Sequence, residues 1–594
     1  MKEKDNFKNL NFFLKNPAYL DLEVELAMQM AKRLVKNKKK INKGLNKIKL
    51  SILSNFNIDF IIEPINFCLY QRGLDVDIMT PSYGTMFTEL LDSKSNTYKN
   101  KPHYILIWPT HKDIQKYNYN PKAEVSFWSS LWNISKKNNT KVFQILFDKP
   151  PFIQFSSTYD NKKNNLISHI NQTNMHLEKK YGDEVSFIPI DQLQINIGSK
   201  NWCDDRMYNI CKQPFSLEAI PEIAQFISSN IAGKLGKNKK VLILDLDNTI
   251  WGGEIGDLGT EGIILGKETS DGESFINFQE YIKRLHEIGI ILCVCSKNDD
   301  MIAKEVFKTH TGMKIALSDI SCFVANFQDK ATNITYIKKF LNIDYDSIVF
   351  IDDSKLECEW VKKKLPDVTT IHLTGDPSGF AKKIDRLGLF LKGPQTKEDK
   401  KRINSYKALN KIEKIKPKTH NLKDFLKSLE PKIFIEEPFP YAAERIEQLL
   451  YKTNQFKLNN TIYKKSNIKD NQKDILALRF TDKLNDYGIV VVVLYEIKNK
   501  ILNIKNWVMS CRVFSRNIEY ATLDILNKIA KKKSCKKITL ELIKSKKNNP
   551  AEKAIKNLGF TLVKKTSLYE IDTNNKKYDH FIIFKNLEKV IKNG

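Results

Sequence analysis

Short apolar runs of strand length recur along this chain, separated by stretches with helical periodicity, and this alternation constrains the fold more than any other feature. In the first third the runs cover residues 48–53, 76–79, 104–108, 142–147 and 185–190. A second series follows Lys239, at 241–244, 290–294, 322–324, 348–351 and 368–372. Strand and helix signals in this order predict doubly wound parallel sheets, whose ligands sit at the carboxyl ends of the strands. The last third reads as α+β, with helices near 442–451, 518–531 and 550–558, and strands at 475–479, 489–495 and 538–542. A turn at Gly559-Phe560 leads into one more strand.

The chain has 594 residues, enough for about three to five domains. Its 97 Lys and Arg exceed its 69 Asp and Glu, giving a net charge of +28. Clustered positive charge is the footprint of nucleic-acid binding. Here the surplus is mostly Lys, is spread along the chain among abundant Ile and Asn, and reads as compositional background. The denser runs at 36–49 and 531–537 read as solvated faces, open to an acidic protein partner. The longest strongly apolar stretch, 489–495, is far below the roughly 18–20 residues that span a bilayer, and the first residues lack a secretory core. A cytoplasmic protein without membrane attachment is expected. Nine cysteines, scattered except for Cys293 and Cys295 and without a CxxC pair, indicate neither a disulfide framework nor a zinc site.

Chemistry concentrates at four strand ends of the middle series. Asp245 and Asp247 follow the apolar run 241–244, and side chains two apart leave an extended chain on one face. Two such carboxylates repel each other, and a hard cation such as Mg²⁺ removes that repulsion while keeping waters for a phosphate. One carboxylate can then attack phosphorus while the other protonates the leaving group and later activates water. Ser296, after the second strand, can donate to a phosphoryl oxygen. Lys330, after the third, can set a positive charge against the nucleophile. Asp352 and Asp353, after the fourth, can complete a metal site.

These residues resemble the four motifs of the haloacid dehalogenase (HAD) superfamily. The surrounding segments DLDNTIWGGEIGD (245–257), CSKND (295–299), NFQDKATNI (326–334), IDDSKLECE (351–359) and YKTNQFKL (451–458) are similar to its FkbH-like branch, in subfamily IIIC. The resemblance extends to NWCDDRMYNICKQPFS (201–216) and MSCRVFSRNIE (509–519). It implies four parts: an N-terminal α/β domain of SGNH-like kind over 1–238, a capless HAD Rossmann-like sheet over 239–392, a linker at 393–418, and a GNAT-like acyltransferase fold over 419–594. It implies Asp245 as nucleophile and metal ligand, Asp247 as general acid/base and carbonyl ligand, and Asp352 with Asp353 as the rest of a Mg²⁺ site. Thr249, Ser296, Lys297 and Lys330 would bind phosphate together with Asp245. Characterised members take a glyceryl unit from 1,3-bisphosphoglycerate, lose phosphate, and pass the unit as a thioester to the phosphopantetheine thiol of an acyl carrier protein.

The spacing points to an open site on its own account. Ser296 and Lys330 are 330 − 296 = 34 residues apart, and about 20 residues separate the Gly252-Gly253 turn from the next helix, too few for a sizeable lid. An uncapped site suits a protein-bound substrate. A covalent acyl intermediate would need a thiolate: Cys295 is the first candidate by position, and Cys511 its rival. At the start of the first series, the Gly-Asp-Ser turn of a small α/β esterase is replaced by Leu53-Ser54-Asn55, so a hydrolase site is not expected there. In the last third, the Arg-x-x-Gly-x-Gly turn that cradles coenzyme A reads Arg512-Val-Phe-Ser515-Arg516-Asn517, without either glycine. Two alternative readings stay open: a phosphatase on a sugar phosphate or phosphoprotein with a separate C-terminal acyltransferase, and a nucleic-acid-binding protein with a residual HAD fold.

Overall fold

The structure, a computed structural model, describes residues 24–41, 47–115, 119–138, 140–151, 165–391 and, apart from short internal gaps, 427–587. The expected linker at 393–418 lies outside the described residues, as do Cys511, Arg512 and Ser515. The chain divides into two compact units, one formed by residues up to 238 with 382–393, the other by 239–381 with the residues after 394.

The first unit is built on five strands: β1 (Lys47–Ser54), β2 (Asp75–Met79), β3 (Tyr104–Trp108), β4 (Lys141–Ile145) and β5 (Ser186–Ile188). They form a wholly parallel sheet in the order β2-β1-β3-β4-β5. β3 is buried along its whole length, which explains its continuous apolar sequence. The helices Asp59–Gln71 and Ile220–Lys234 pack together closely enough for Ser228 Oγ to donate to the Ile65 carbonyl. The chain order reverses between β1 and β3, which opens a crevice at the carboxyl ends of those strands.

The second unit holds two sheets. The first contains β6 (Val241–Leu244), β7 (Ile291–Ser296), β8 (Ile320–Ala325), β9 (Ile348–Asp352) and β10 (Thr369–His372), all parallel, in the order β10-β9-β6-β7-β8. Every residue of β6 is fully buried, and each such side chain contributes about 1.5–3 kcal/mol of hydrophobic stabilisation. The central strand β6 therefore has β7 on one side and β9 on the other, with the chain reversal between β6 and β9. The helix following each flanking strand is started by a polar cap. Asp299 accepts from the N–H groups of Met301 and Ile302, Asp329 from that of Thr332, and Ser354 Oγ from that of Glu357. Caps of this kind fix where a strand stops and a helix begins, and so fix the loops that carry the polar residues.

The remaining sheet has eight strands: β11 (Lys432–Glu436), β12 (Ile475–Thr481), β13 (Asp486–Lys498), β14 (Ile501–Met509), β15 (Lys537–Glu541), β16 (Thr561–Leu562), β17 (Leu568–Asp572) and β18 (Ile583–Lys585). Strands β11 to β14 form an antiparallel meander, and β14 pairs with β15 in parallel from Ile501↔Lys537 to Ile504↔Leu540, although β14 runs on to Met509. The helix Ile518–Lys532 buries one face in the core of this sheet. No helix among the described residues is long and apolar enough to cross a membrane.

Candidate active site

The register of the β10-β9-β6-β7-β8 sheet assembles the site. Leu244 pairs with Ile351, and the N–H of Asp245 continues the ladder by donating to the Ile351 carbonyl at 3.1 Å, so Asp245 and Asp352 stand side by side. Lys330, the first residue of its helix, reaches back over the strand ends. Its Nζ lies 2.9 Å from Asp245 Oδ1 and 2.5 Å from Asp352 Oδ2, with only 4% of the side chain exposed. The second oxygen of Asp352 accepts from the N–H of Ser354 at 2.8 Å. Asp353 is half-buried beside them, and one carboxylate oxygen from each of Asp245, Asp352 and Asp353 lies within 4.8 Å of the others.

Three carboxylates against one ammonium leave two uncompensated negative charges. Burial raises the Asp245 carboxyl above its ordinary range, Lys330 pulls it back, and Asp352 pushes it up again. Burial likewise raises Asp352 against the pull of Lys330, and raises Asp353, with Asp245 adding to the effect. Burial alone would lower the Lys330 ammonium, but Asp245 and Asp352 outweigh it and hold the group well above its usual value. An excess charge of −2 among oxygen donors fits a hard divalent cation. A second observation agrees: the Oγ1 of Thr249, fully buried in the same motif, has no hydrogen-bond partner among the described residues.

Asp247 is held apart from this cluster. Its Oδ1 accepts from the indole of Trp251 at 2.8 Å and the N–H of Ile255 at 3.2 Å, and its Oδ2 accepts from Asn298 Nδ2 at 2.9 Å. The same amide donates to Ser296 Oγ at 3.0 Å, so one residue orients both groups. The turn that returns Trp251 to Asp247 passes through Asn248 at positive φ, and the chain turns again at Gly253. Its φ is +88°, and a Cβ there would meet Leu258 Cδ1 at 2.4 Å. Between β6 and the helix Ser270–Glu287 the chain holds the helix Ile255–Gly262 with its flanking turns, and between β7 and β8 it holds the helix Asp300–Thr309 with a 3-10 turn leading into β8, neither long enough to form a cap domain. Three apolar side chains stand exposed beyond the strand ends: Met301 and Leu356, at the starts of the helices that follow β7 and β9, and Phe327, in the loop after β8, are 77%, 78% and 79% exposed.

Residues 49–231 match the family described as FkbH, N-terminal domain. The N-terminal part of the protein BF1531 from Bacteroides fragilis, crystallised with its phosphatase domain complexed with Mg, is 29% identical. The likeness covers 61% of this chain and 99% of that one, with a TM-score of 0.57. Over residues 49–231 the chain is thus FkbH-like, and over 61% of its length it is similar to a protein with a phosphatase domain. The ribosomal-protein-S18-alanine N-acetyltransferase of Escherichia coli matches 25% of this FkbH-like chain over 96% of its own, at 11% identity and a TM-score of 0.19. A GNAT-family acetyltransferase of Staphylococcus aureus matches 24% over 99%, at 16% identity and a TM-score of 0.20. No curated protein matches the sequence.

Of the expected site residues, the fold of the FkbH-like protein brings together Asp245, Asp352, Asp353 and Lys330, and sets Asp247 and Ser296 at their edge through Asn298. Lys297 is turned away: it is exposed, and its Nζ pairs with Glu357 at 2.5 Å on the helix Lys355–Lys364. Cys295 does not face the phosphate site. β7 runs on through Ser296 instead of breaking before it, so the alternation of the strand sends the thiol into the core beneath the helix Lys330–Leu341, fully buried beside the Lys330 carbonyl. Burial drives that thiol far above its ordinary range, and this environment disfavours the thiolate that an acyl carrier needs. Asn298 and Trp251, which hold Asp247, were not singled out from the sequence. Each lies inside a motif that was, and the period-2 relation of Asn298 to Ser296 was the available signal.

Burial-raised carboxyls keep their protons to a higher pH in the folded than in the unfolded chain, so this cluster subtracts stability as pH rises from the ordinary carboxylate range toward neutrality. A bound cation offsets that loss only where the carboxyls are ionised. Added Mg²⁺ is therefore expected to raise Tm clearly at pH 7.5 and little at pH 5, measured by thermal denaturation; an equal shift at both would contradict a site built on these three groups.

Proposed function

We propose that this FkbH-like phosphatase takes the three-carbon acyl unit of 1,3-bisphosphoglycerate, passes it as a thioester to an acyl carrier protein with loss of the acyl phosphate, and removes the phosphate ester of the unit at Asp245. The observation that carries the reading is the bridge of Lys330 between Asp245 and Asp352, with Asp247 held separately by Trp251 and Asn298. That arrangement supports one carboxylate for attack on phosphorus and a second, outside the ion pair with Lys330, for proton transfer. Asp245 attacks phosphorus to give an aspartyl-phosphate, and Asp247 protonates the departing oxygen; the same carboxylate then takes a proton from the water that hydrolyses the intermediate. Ser296 and Lys330 hold the transferring group and compensate its charge. Asp245, Asp352 and Asp353 would hold Mg²⁺, which supplies Lewis-acid compensation of the phosphoryl charge when bound.

The open rim favours a large acceptor. A small free substrate needs water excluded around it, whereas a carrier protein brings its own surface, and Met301, Phe327 and Leu356 offer apolar contact around the mouth. Carrier proteins are typically acidic, which gives the lysine surplus a use as a long-range attraction. The test is the intact mass of a carrier protein from the same cell after incubation with enzyme, Mg²⁺ and 1,3-bisphosphoglycerate. A glyceryl adduct is expected. Phosphate release from unrelated esters with no adduct on any such carrier would leave a general phosphatase in its place.

A further inference from the structure

The carboxyl end of the first sheet holds polar groups for which phosphate chemistry at Asp245 has no use. β3 ends at Trp108, and Thr110 caps the short 3-10 turn His111–Asp113. Asp113 is tied to the end of β1 through Asn55 Nδ2 at 2.9 Å. The turn directs His111 at Asp148, three residues beyond β4. The His111 N–H lies 2.7 Å and its ring Nδ1 3.0 Å from Asp148 Oδ1, and the Trp202 indole donates to Oδ2 at 3.4 Å. The Asp148 side chain is 4% exposed and that of His111 15%. A buried carboxylate against Nδ1 keeps the proton of the neutral ring on that nitrogen, which leaves the lone pair on Nε2. This is how a histidine is oriented to act as a base.

Three further observations place a ligand beside it. The dyad joins the ends of β3 and β4, and the turn that carries His111 is tied through Asp113 to Asn55 after β1, so it borders the β1–β3 reversal in which doubly wound sheets bind their ligands. At the same crevice the Oδ1 of Asn55 is buried without a hydrogen-bond partner among the described residues. Finally, the segment 201–216 that the sequence singled out returns here: Phe215 stacks on Trp108 with centroids 5.5 Å apart, and the Asn57 N–H donates to the Lys212 carbonyl at 3.0 Å. It carries Tyr208, whose ring lies 3.2 Å from Lys112 Nζ and 5.1 Å from Lys212 Nζ. Two ammonium groups are thus gathered on one ring, one of them from the residue that follows His111, an arrangement suited to a phosphate.

We propose that this crevice is a second catalytic site, in which His111 deprotonates the thiol of a phosphopantetheine arm whose phosphate rests on Lys112 and Lys212. It rests on the carrier-protein reading above. The thiol proton passes to His111 Nε2, the sulfur bonds to the acyl carbon of the mixed anhydride, and the bond from that carbon to the phosphate oxygen breaks, the phosphate leaving with the electron pair. The phosphate ester that remains on the three-carbon unit is then a substrate for Asp245. Asp148 is a positioning residue in this step.

The test uses the full chain with Mg²⁺, 1,3-bisphosphoglycerate and free 4′-phosphopantetheine, with thioester read by mass. His111→Gln is expected to lower thioester formation by about 100-fold or more, while hydrolysis of p-nitrophenyl phosphate at Asp245 reports that the variant is folded. Asp148→Asn should lower kcat at unchanged KM for phosphopantetheine, and Lys112→Ala with Lys212→Ala should raise KM for phosphopantetheine but not for pantetheine. Thioester formation at the wild-type rate in His111→Gln would overturn the proposal. Calorimetric binding of phosphopantetheine to the wild-type chain separates the two readings. Binding that the lysine variants lose, without thioester formation, upholds the site and removes the glyceryl chemistry; no binding to the wild type overturns the site itself.

Discussion

Replacing Asp245 with Asn is expected to reduce phosphate release by at least roughly 10³-fold, because the change removes the attacking oxygen and not merely a contact to the substrate. The fold should not suffer. Asp245, Asp352 and Asp353 crowd three carboxylates around the single ammonium of Lys330, and after the substitution Lys330 keeps Asp352 at 2.5 Å. One buried negative charge fewer means that the protein without added metal should be as stable as the wild type or more so. The gain in Tm from Mg²⁺ should shrink at the same time, since a ligand has been lost. Denaturation curves with and without Mg²⁺, beside initial rates of phosphate release, check both halves. A variant that kept substantial activity would remove Asp245 from the chemistry. One that lost activity only through unfolding would show that the three carboxylates are not in excess.

The parallel sheets were legible because their strands are buried on both faces and so appear as uninterrupted apolar runs; 104–108 and 241–244 coincide with β3 and β6 residue for residue. The carboxyl ends were harder to place. Apolarity stops at Cys295, yet β7 continues through Ser296, because the ladder to β8 still pairs Ser296 with Ala325. That single extra residue decides the fate of Cys295: in an unbroken strand it must point opposite to Ser296, and the facing helix seals it. The short strands β11 and β18 were missed for a related reason, since β11 is brief and half-buried, the edge strand β18 is briefer and mostly exposed, and their partners lie far away in sequence. In the site, the acidic residues and Lys330 could be read because charged groups immediately after apolar runs are conspicuous. Asn298 and Trp251 could not be read in this way: what they do depends on the turn 247–255 folding back on itself, through the positive φ of Asn248 and Gly253. The His111 and Asp148 pair was invisible for the same cause, being joined only when β3 and β4 lie side by side.

Lys330→Met is expected to destabilise the protein by about 3–5 kcal/mol at neutral pH, the range for stranding buried charge when one partner of an ion pair is removed. The methionine fills most of the lysine volume, so the cost is electrostatic in origin: Asp245 and Asp352 then face each other, buried, with no ammonium between them. The pH dependence separates this cause from a packing defect. Without Lys330 both carboxyls titrate still higher in the folded chain, while their unfolded values stay near 3.8. Between those limits the folded state binds more protons than the unfolded, so stability falls as pH rises, and it falls more steeply in the variant than in the wild type. Urea unfolding at pH 5 should therefore show a small loss and at pH 7.5 the full one, with Mg²⁺ restoring part of it at pH 7.5 only. A loss of equal size at both pH values would mean that Lys330 stabilises the site by filling space, and that the Asp245 and Asp352 carboxyls are already protonated in the folded enzyme. The nucleophile would then need the metal, and not the lysine, to reach its charged form.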